Sequence, residues 1–234
     1  MDITIQALKK TIKGIPCFGP FLMRLLGKRW NSSNYWELRY RRGGNSGAGS
    51  YNRLAEFKAS FLNSFVAQHQ VNSVIEFGSG DGSQLKLARY PRYIGVDVSV
   101  KAIELCNSMF FGDTYKHFLQ SDAFVEDTCA DLTLSLDVIY HLVEDAIYEA
   151  YMRRLFKCAE RFVIVYSSNM SQNASSRHIR HRQFTHWVEQ NEPQWYLHST
   201  VTNAYPYDAA DPDHTSFADF YVFISRNPFP ALRH

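Results

Sequence analysis

Gly78, Gly80 and Gly82 fall at alternate positions directly after the run Val74–Phe77, which is apolar apart from Glu76. Such a run reads as a buried strand entering a tight turn. Glycine lets the backbone bend there and leaves bare main chain for a ligand to lie against. Ser79 sits inside the turn, and residues 83–88 have a helix-forming composition, so amides of a first helical turn would face it. A second short strand, Tyr93–Val96, ends in Asp97, 19 positions after Gly78, with Val98 behind it. In a βαβ unit that spacing brings a carboxylate to the two hydroxyls of a ribose. Turn and acid together describe a nucleoside site.

Two ligand classes compete for it. The dinucleotide pattern G-x-G-x-x-G presents helix amides to a pyrophosphate. Here the third glycine comes one residue early, giving Glu76-x-Gly78-x-Gly80-x-Gly82. This run resembles motif I of the class I S-adenosylmethionine (SAM) methyltransferases, and Gly95-Val96-Asp97 resembles the motif that follows it. SAM contains an adenosine but no phosphate. An NAD site, or a turn rich in glycine for packing alone, stands beside that reading.

The resemblance implies roles for particular residues. Gly78, Gly80 and Gly82 would pass under the methionine and ribose of SAM, Glu76 would hold the turn, and Asp97 would take the ribose hydroxyls. Asp122 matches the family position that accepts from the adenine amino group, with the amide of Ala123 or Phe124 meeting the ring. Asp137 would lie near the cationic methionine end, where a carboxylate is favoured. Some methyltransferases set a Trp-Arg-Tyr segment over the methionine carboxylate, and Trp36, Arg39 and Tyr40 are similar. An arginine fork suits that group, although a plain packing segment reads equally well. S-adenosylhomocysteine would be the product.

Methyl transfer asks mainly for alignment of nucleophile and methyl carbon. An oxygen nucleophile must also lose a proton, which calls for a general base. His141, just beyond the fourth strand, is the best candidate, with its ionisation near neutrality if unperturbed. Tyr140 is the runner-up, more as a shaping group. A core or capping histidine is the plain alternative. Arg177, His178, Arg180, His181 and Arg182 form a second constellation, and no Asp or Glu lies between Arg161 and Val188 to neutralise it. It reads as a clamp for an anionic acceptor or as a solvated basic loop. Asp211, Asp213 and His214 are too few on one loop to argue for a metal, and none is expected.

These residues need a scaffold that brings strand ends together. Strands are expected at residues 74–77, 93–97, 117–120, 132–138, 161–167, 195–201 and 217–224. Helices are expected over 51–68, from Ser99 to about Phe110, over about 147–158 and over 184–190. Leu54, Phe57, Phe61 and Phe65 stripe the first of these helices, and Ile147, Tyr151, Leu155 and Cys158 share a face of the third. Alternating βα units closed by a hairpin predict an α/β fold: a seven-stranded, mostly parallel Rossmann-like sheet with an antiparallel last strand. In such sheets ligands bind at the carboxyl ends of the strands, where every residue named above falls. The resemblance covers residues 51–225, by motif in the first half and by element order in the second. Ser135–Asp145 and the Arg-His cluster also resemble a bacterial branch associated with surface-polysaccharide genes.

Composition narrows the function classes. The 234 residues are 45% hydrophobic and 21% charged, as in ordinary globular chains. Four scattered cysteines without a C-x-x-C read as reduced core thiols, and a cytoplasmic location follows. Residues 1–42 carry nine Lys/Arg against two acids, net +7, whereas the remaining 16 basic and 21 acidic residues net −5. Residues 1–50 therefore read as a basic helical extension with a Gly/Ser-rich loop, and 51–234 as the catalytic domain. Helices over 3–13 and 21–30 would pack as a cap, or lie on a partner or an anionic inner membrane face. Prolines and glycines interrupt the segment, so it does not read as a signal peptide. The acidic body and the absence of an N/D-P-P-Y/F motif disfavour nucleic acid. The chain thus reads as a SAM-dependent methyltransferase acting on a hydroxyl of a small or glycan-linked acceptor. The alternatives are nitrogen or phosphate oxygen as acceptor, or a SAM-binding partner without turnover.

Overall fold

The computed structural model describes residues 31–125, 127–171 and 178–227. The helices expected over 3–13 and 21–30, Cys17 and Arg177 lie outside the described residues. One compact unit begins at Ser32, so residues 32–50 fold with the body that follows them.

Seven strands form one sheet: β1 (Val74–Phe77), β2 (Tyr93–Asp97), β3 (Lys116–Gln120), β4 (Ala130–Leu136), β5 (Ala159–Ser167), β6 (Trp195–Val201) and β7 (Asp219–Ser225). Their order is β3-β2-β1-β4-β5-β7-β6. β7 runs antiparallel to both neighbours, β5 and β6, and the other pairings are parallel. The expected architecture holds. The order reverses between β1 and β4, which opens a crevice at their carboxyl ends.

Among the described residues, five helices accompany the sheet: α1 (Ser32–Arg41), α2 (Asn52–Gln68), α3 (Val100–Met109), α4 (Asp145–Lys157) and α5 (Phe184–Asn191). Strand alternation divides the core into two layers. On β5, Phe162, Ile164 and Tyr166 pack with Leu62 and Phe65 of α2 and Cys106 of α3. Val163 and Val165 point to the other face, against Met152, Leu155 and Phe156 of α4 and Phe184 of α5. Each such apolar side chain contributes about 1.5–3 kcal/mol by leaving water. The aromatic stripe of α2 is core, as its spacing predicts, with Phe57 and Phe61 partly buried against the same cluster. On α4 Leu155 and Cys158 are buried, while Ile147 and Tyr151 are half-buried and turn toward the crevice.

Three expectations are corrected. Residues 83–88 form only a 3-10 turn, Gln84–Leu87, after which Ala88 is extended. Pro91 disfavours helix at Tyr90, and β2 begins at Tyr93, so one short turn is all that fits. Residues 32–41, left without an element by the sequence, form α1. Cys129 is exposed, whereas Cys106 and Cys158 are buried. Among the described residues, no helix is long and apolar enough to cross a membrane.

Candidate active site

The crevice holds a cavity of about 360 Å³ lined from β1, β2, β4 and their following turns, with α1 and α4 as walls. Glu76, Gly78, Ser79, Gly80, Asp97, Val98 and Asp137 all line it, as do Trp36 and Tyr40 from α1. Gly78 and Gly80 have φ of +86° and +59°, conformations that cost an L side chain strain. A Cβ on Gly80 would strike the Ser46 hydroxyl, and one on Gly78 would strike Val138.

Asp97 is buried, and its carboxylate accepts from the amides of Gly80 (2.9 Å) and Ser99 (2.8 Å). Burial pushes it up to about 6, against those hydrogen bonds. A carboxylate has about four lone-pair sites, so it can still accept a further donor. Glu76 accepts from the Tyr93 hydroxyl at 2.7 Å, and burial pushes it up to about 7. The Ser79 hydroxyl and the Gln84 amide oxygen are buried at the wall with no hydrogen-bond partner among the described residues. A ligand rich in hydroxyls and amines answers both, so the residues present fit the nucleoside and amino-acid ends of SAM.

Three residues of the sequence reading fall elsewhere. Gly82 does not line the cavity; a Cβ there would come within 3.0 Å of Phe110 and 3.1 Å of Cys106, so it permits packing of α3 against the turn. Asp122 and Ala123 are exposed in the 3-10 turn after β3, beside Ser121, which does line it.

The Gly/Ser-rich loop is ordered onto the glycine turn. The Ser46 amide donates to Asp81 at 2.9 Å, the Ser46 hydroxyl accepts from the Asp81 amide at 2.9 Å, and Tyr51 donates to Asp81 at 2.7 Å. Burial acts to raise Asp81, but the hydrogen bonds from Ser83, Tyr51 and Ser46 outweigh it and the net shift is down. α1 is fixed at its first residue and in its middle. Ser32 donates twice to Glu144, and Glu37 accepts from the Ser99 hydroxyl and the Lys101 amide.

A second cavity of about 330 Å³ adjoins the first and shares Trp36, Ser46, Asp137 and His141 with it. His141 Nδ1 lies 3.0 Å from the carbonyl oxygen of His178. A carbonyl only accepts, so Nδ1 carries the proton and the neutral ring keeps its lone pair on Nε2. Burial pushes His141 down to about 4, so the ionisation expected near neutrality moves into the acid range. Tyr140 donates to Asp137 at 2.9 Å, and burial together with that carboxylate drives the phenol well above its ordinary range. Tyr140 stays protonated near neutral pH and orients Asp137, which does not suit it as a base.

Asp137 leaves β4 with φ +60° and receives Lys58 Nζ at 2.6 Å. The Lys58 side chain is 0% exposed and that of Asp137 14%. Sequence reasoning missed Lys58. Its signal was the spacing Leu54, Lys58, Leu62, which sets a lysine on the buried face of α2.

The basic cluster is corrected. Arg180 and Arg182 both pair with Asp145, at 2.8 and 3.1 Å, and donate to the carbonyls of Leu142 and Val143. Neither lines either of these two cavities, and neither is an open clamp. His181 shares a hydrogen bond with Ser168 at 2.6 Å. His178 does line the second cavity, stacked on Tyr35 and His141, and Arg39 lines that cavity rather than the first.

Residues 75–164 match the family model described as a methyltransferase domain. No curated protein matches the sequence. Among solved structures, the chain is similar to N-methyltransferase NodS from Bradyrhizobium japonicum WM9 in complex with S-adenosyl-L-homocysteine. That likeness has 15% identity over 85% of this chain and 100% of that one, with a TM-score of 0.65. It is also similar to magnesium protoporphyrin IX methyltransferase ChlM from Synechocystis PCC 6803, at 14% identity, 82% and 97% coverage and a TM-score of 0.59. A third likeness is to a putative O-methyltransferase from Klebsiella pneumoniae, at 12% identity, 89% and 96% coverage and a TM-score of 0.55. At these identities the likeness carries the fold, and the matched domain model together with the fitted cavity carries the chemistry. Residues 75–164 carry a SAM-dependent methyltransferase domain, and the sheet that contains them has the Rossmann-like methyltransferase fold.

Proposed function

We propose that the chain methylates a hydroxyl of a small or glycan-linked acceptor bound in the second cavity, with His141 as general base. The observation that carries this reading is the place of His141. It lines both cavities, and its Nδ1 is committed to the His178 carbonyl. SAM, when bound, supplies an electrophilic methyl group on a sulfonium. The glycine turn, Glu76 and Asp97 hold the nucleoside and amino-acid ends, and Asp122 with Ala123 would close on the adenine edge. Asp137, oriented by Tyr140 and Lys58, faces both compartments. Nε2 of His141 takes the hydroxyl proton as the oxygen attacks, and burial keeps the ring neutral and ready at pH 7. The basic residues within 1–42 other than Arg39 fit contact with an anionic membrane face or an acidic partner.

A labelled-methyl assay over hydroxyl and amine acceptors tests the assignment. His141→Ala and His141→Gln should keep S-adenosylhomocysteine affinity and lose roughly 10²–10⁴-fold in turnover. Wild-type turnover in both variants sinks it. A second reading, N-methylation, draws support from the same low ionisation of His141. An imidazole pushed down to about 4 is a weak base, and a neutral amine attacks before it loses a proton. Turnover confined to amine acceptors would select it.

A further inference from the structure

The two arginines that looked free in the sequence are bound to Asp145, whereas Arg39 lies in the wall of the second cavity. Arg39 donates from Nε to the Asn45 carbonyl at 2.6 Å and from Nη2 to the Asn45 amide oxygen at 3.2 Å. These contacts use two of its five N–H groups and neutralise none of its charge. Gly44 is bare because a Cβ there would press on Arg39 Cγ at 2.8 Å, so the loop fixes the stem of the guanidinium.

The charge of the wall can be counted. Arg39 and Asp137 are the formally charged residues lining the second cavity among the described residues. Lys58 cancels Asp137 from behind. The imidazoles of His141 and His178 are both held down by burial, with Arg39 lowering them further, so they add little charge near pH 7. One positive charge is left over. Five aromatic side chains share that wall with small and aliphatic residues: Tyr35, Trp36, Tyr140, Tyr207 and Phe217. Tyr140 and Tyr207 both pack on Phe217, at 5.1 and 6.0 Å between centroids. Ring faces of this kind hold a planar or chair-shaped body, and a single guanidinium in an aromatic wall takes a carboxylate through its fork.

We infer that the second cavity is the acceptor site and that Arg39 there reads a carboxylate on a ring-bearing acceptor. The inference rests on His141 marking the boundary between cofactor and acceptor. It moves Arg39 from the methionine carboxylate, the role its sequence context implied, to the acceptor.

Two sources share this chemistry, an aromatic acid and a sugar acid. Calorimetry on full-length protein saturated with S-adenosylhomocysteine separates them. The probes are 4-hydroxybenzoate against 4-hydroxybenzamide, and D-glucuronate against D-glucose. At least one acid should bind about tenfold or more tighter than its neutral counterpart, the size expected of a charged hydrogen-bond pair. That preference should weaken as salt is raised and disappear in Arg39→Gln, with S-adenosylhomocysteine affinity unchanged. Which acid shows it names the source. Equal binding of acid and neutral partner overturns the inference, as does absence of binding by every probe at 10 mM. A loss of S-adenosylhomocysteine affinity in Arg39→Gln with the acid preference intact assigns Arg39 to the cofactor and also overturns it. These are binding measurements, so they stand apart from the turnover test of His141.

Discussion

Replacing Lys58 by methionine removes one ammonium from the centre of the molecule and keeps most of the side-chain volume. In the wild type that ammonium sits 2.6 Å from Asp137 Oδ2 and 5.3 Å from the centroid of the Tyr166 ring. Breaking a buried pair from one side leaves an uncompensated charge and typically costs 3–5 kcal/mol. Asp137 keeps 14% exposure and the Tyr140 hydroxyl at 2.9 Å, so the low end applies, about 3 kcal/mol. With a urea slope of about 2–3 kcal/mol per molar, the unfolding midpoint should fall by roughly 1–1.5 M. The partner substitution must respect the backbone. Asp137 has φ +60°, and asparagine is among the few residues that tolerate that conformation. Asp137→Asn therefore removes the charge without adding backbone strain. Alone it should also destabilise, because it leaves Lys58 buried and unpaired. Together the two changes should cost less than the sum of the singles by at least about 1.5 kcal/mol, the signature of direct coupling. Urea titrations of the four proteins complete the cycle. Additive losses, or a loss below about 1 kcal/mol for Lys58→Met, would refute the claim that this pair is a buried, coupled unit.

Asp97→Ala should weaken S-adenosylhomocysteine by about 1.5–3 kcal/mol while the unfolding transition persists. In the wild type that affinity should decline as pH falls through about 6, because protonating the raised carboxyl removes acceptor capacity; calorimetry at stepped pH should show the decline, and Asp97→Asn should lack it. Turnover with saturating acceptor should be level in its His141 dependence from pH 8 down to about 5 and fall only as the imidazole protonates near 4, whereas an inflection between 6 and 7 that vanishes in His141→Gln would contradict the burial argument.

Most of the fold was legible because strand and helix periods are local properties. β6 falls at the expected residues, and the stripe on α2 is core. α1 was not legible. Its residues are mostly polar, only Ser32 and Tyr40 are buried, and no acid lies in its first turn. What holds it is tertiary: Glu144 takes Ser32, and Glu37 takes Ser99 and the Lys101 amide, all distant in sequence. The failure at residues 83–88 has the opposite cause. Local composition favoured helix, but the distance to β2 and the Tyr90-Pro91 step did not allow one.

The glycine motif, Glu76 and Asp97 were legible because two neighbouring strands, β1 and β2, and the turn after β1 carry them all. The basic cluster misled because charge was counted along the chain. Its neutralising acid, Asp145, lies 35 positions before Arg180 and belongs to the first turn of α4. The cluster nevertheless bears on the chemistry. The Arg180 amide donates to the Tyr140 carbonyl at 2.8 Å, and the Arg180 and Arg182 side chains grip the Leu142 and Val143 carbonyls. Residues 140–145 are thereby sewn to residues 178–182. The same seam presents the His178 carbonyl to His141 Nδ1. A histidine held that way has its proton on the side of the fold and its lone pair on the other nitrogen, with a carbonyl rather than a carboxylate on Nδ1. The arginines thus do not take the acceptor's charge. They help fix the tautomer of the residue proposed to take its proton, so Arg180 and Arg182, which line neither cavity, still bear on the site beside them.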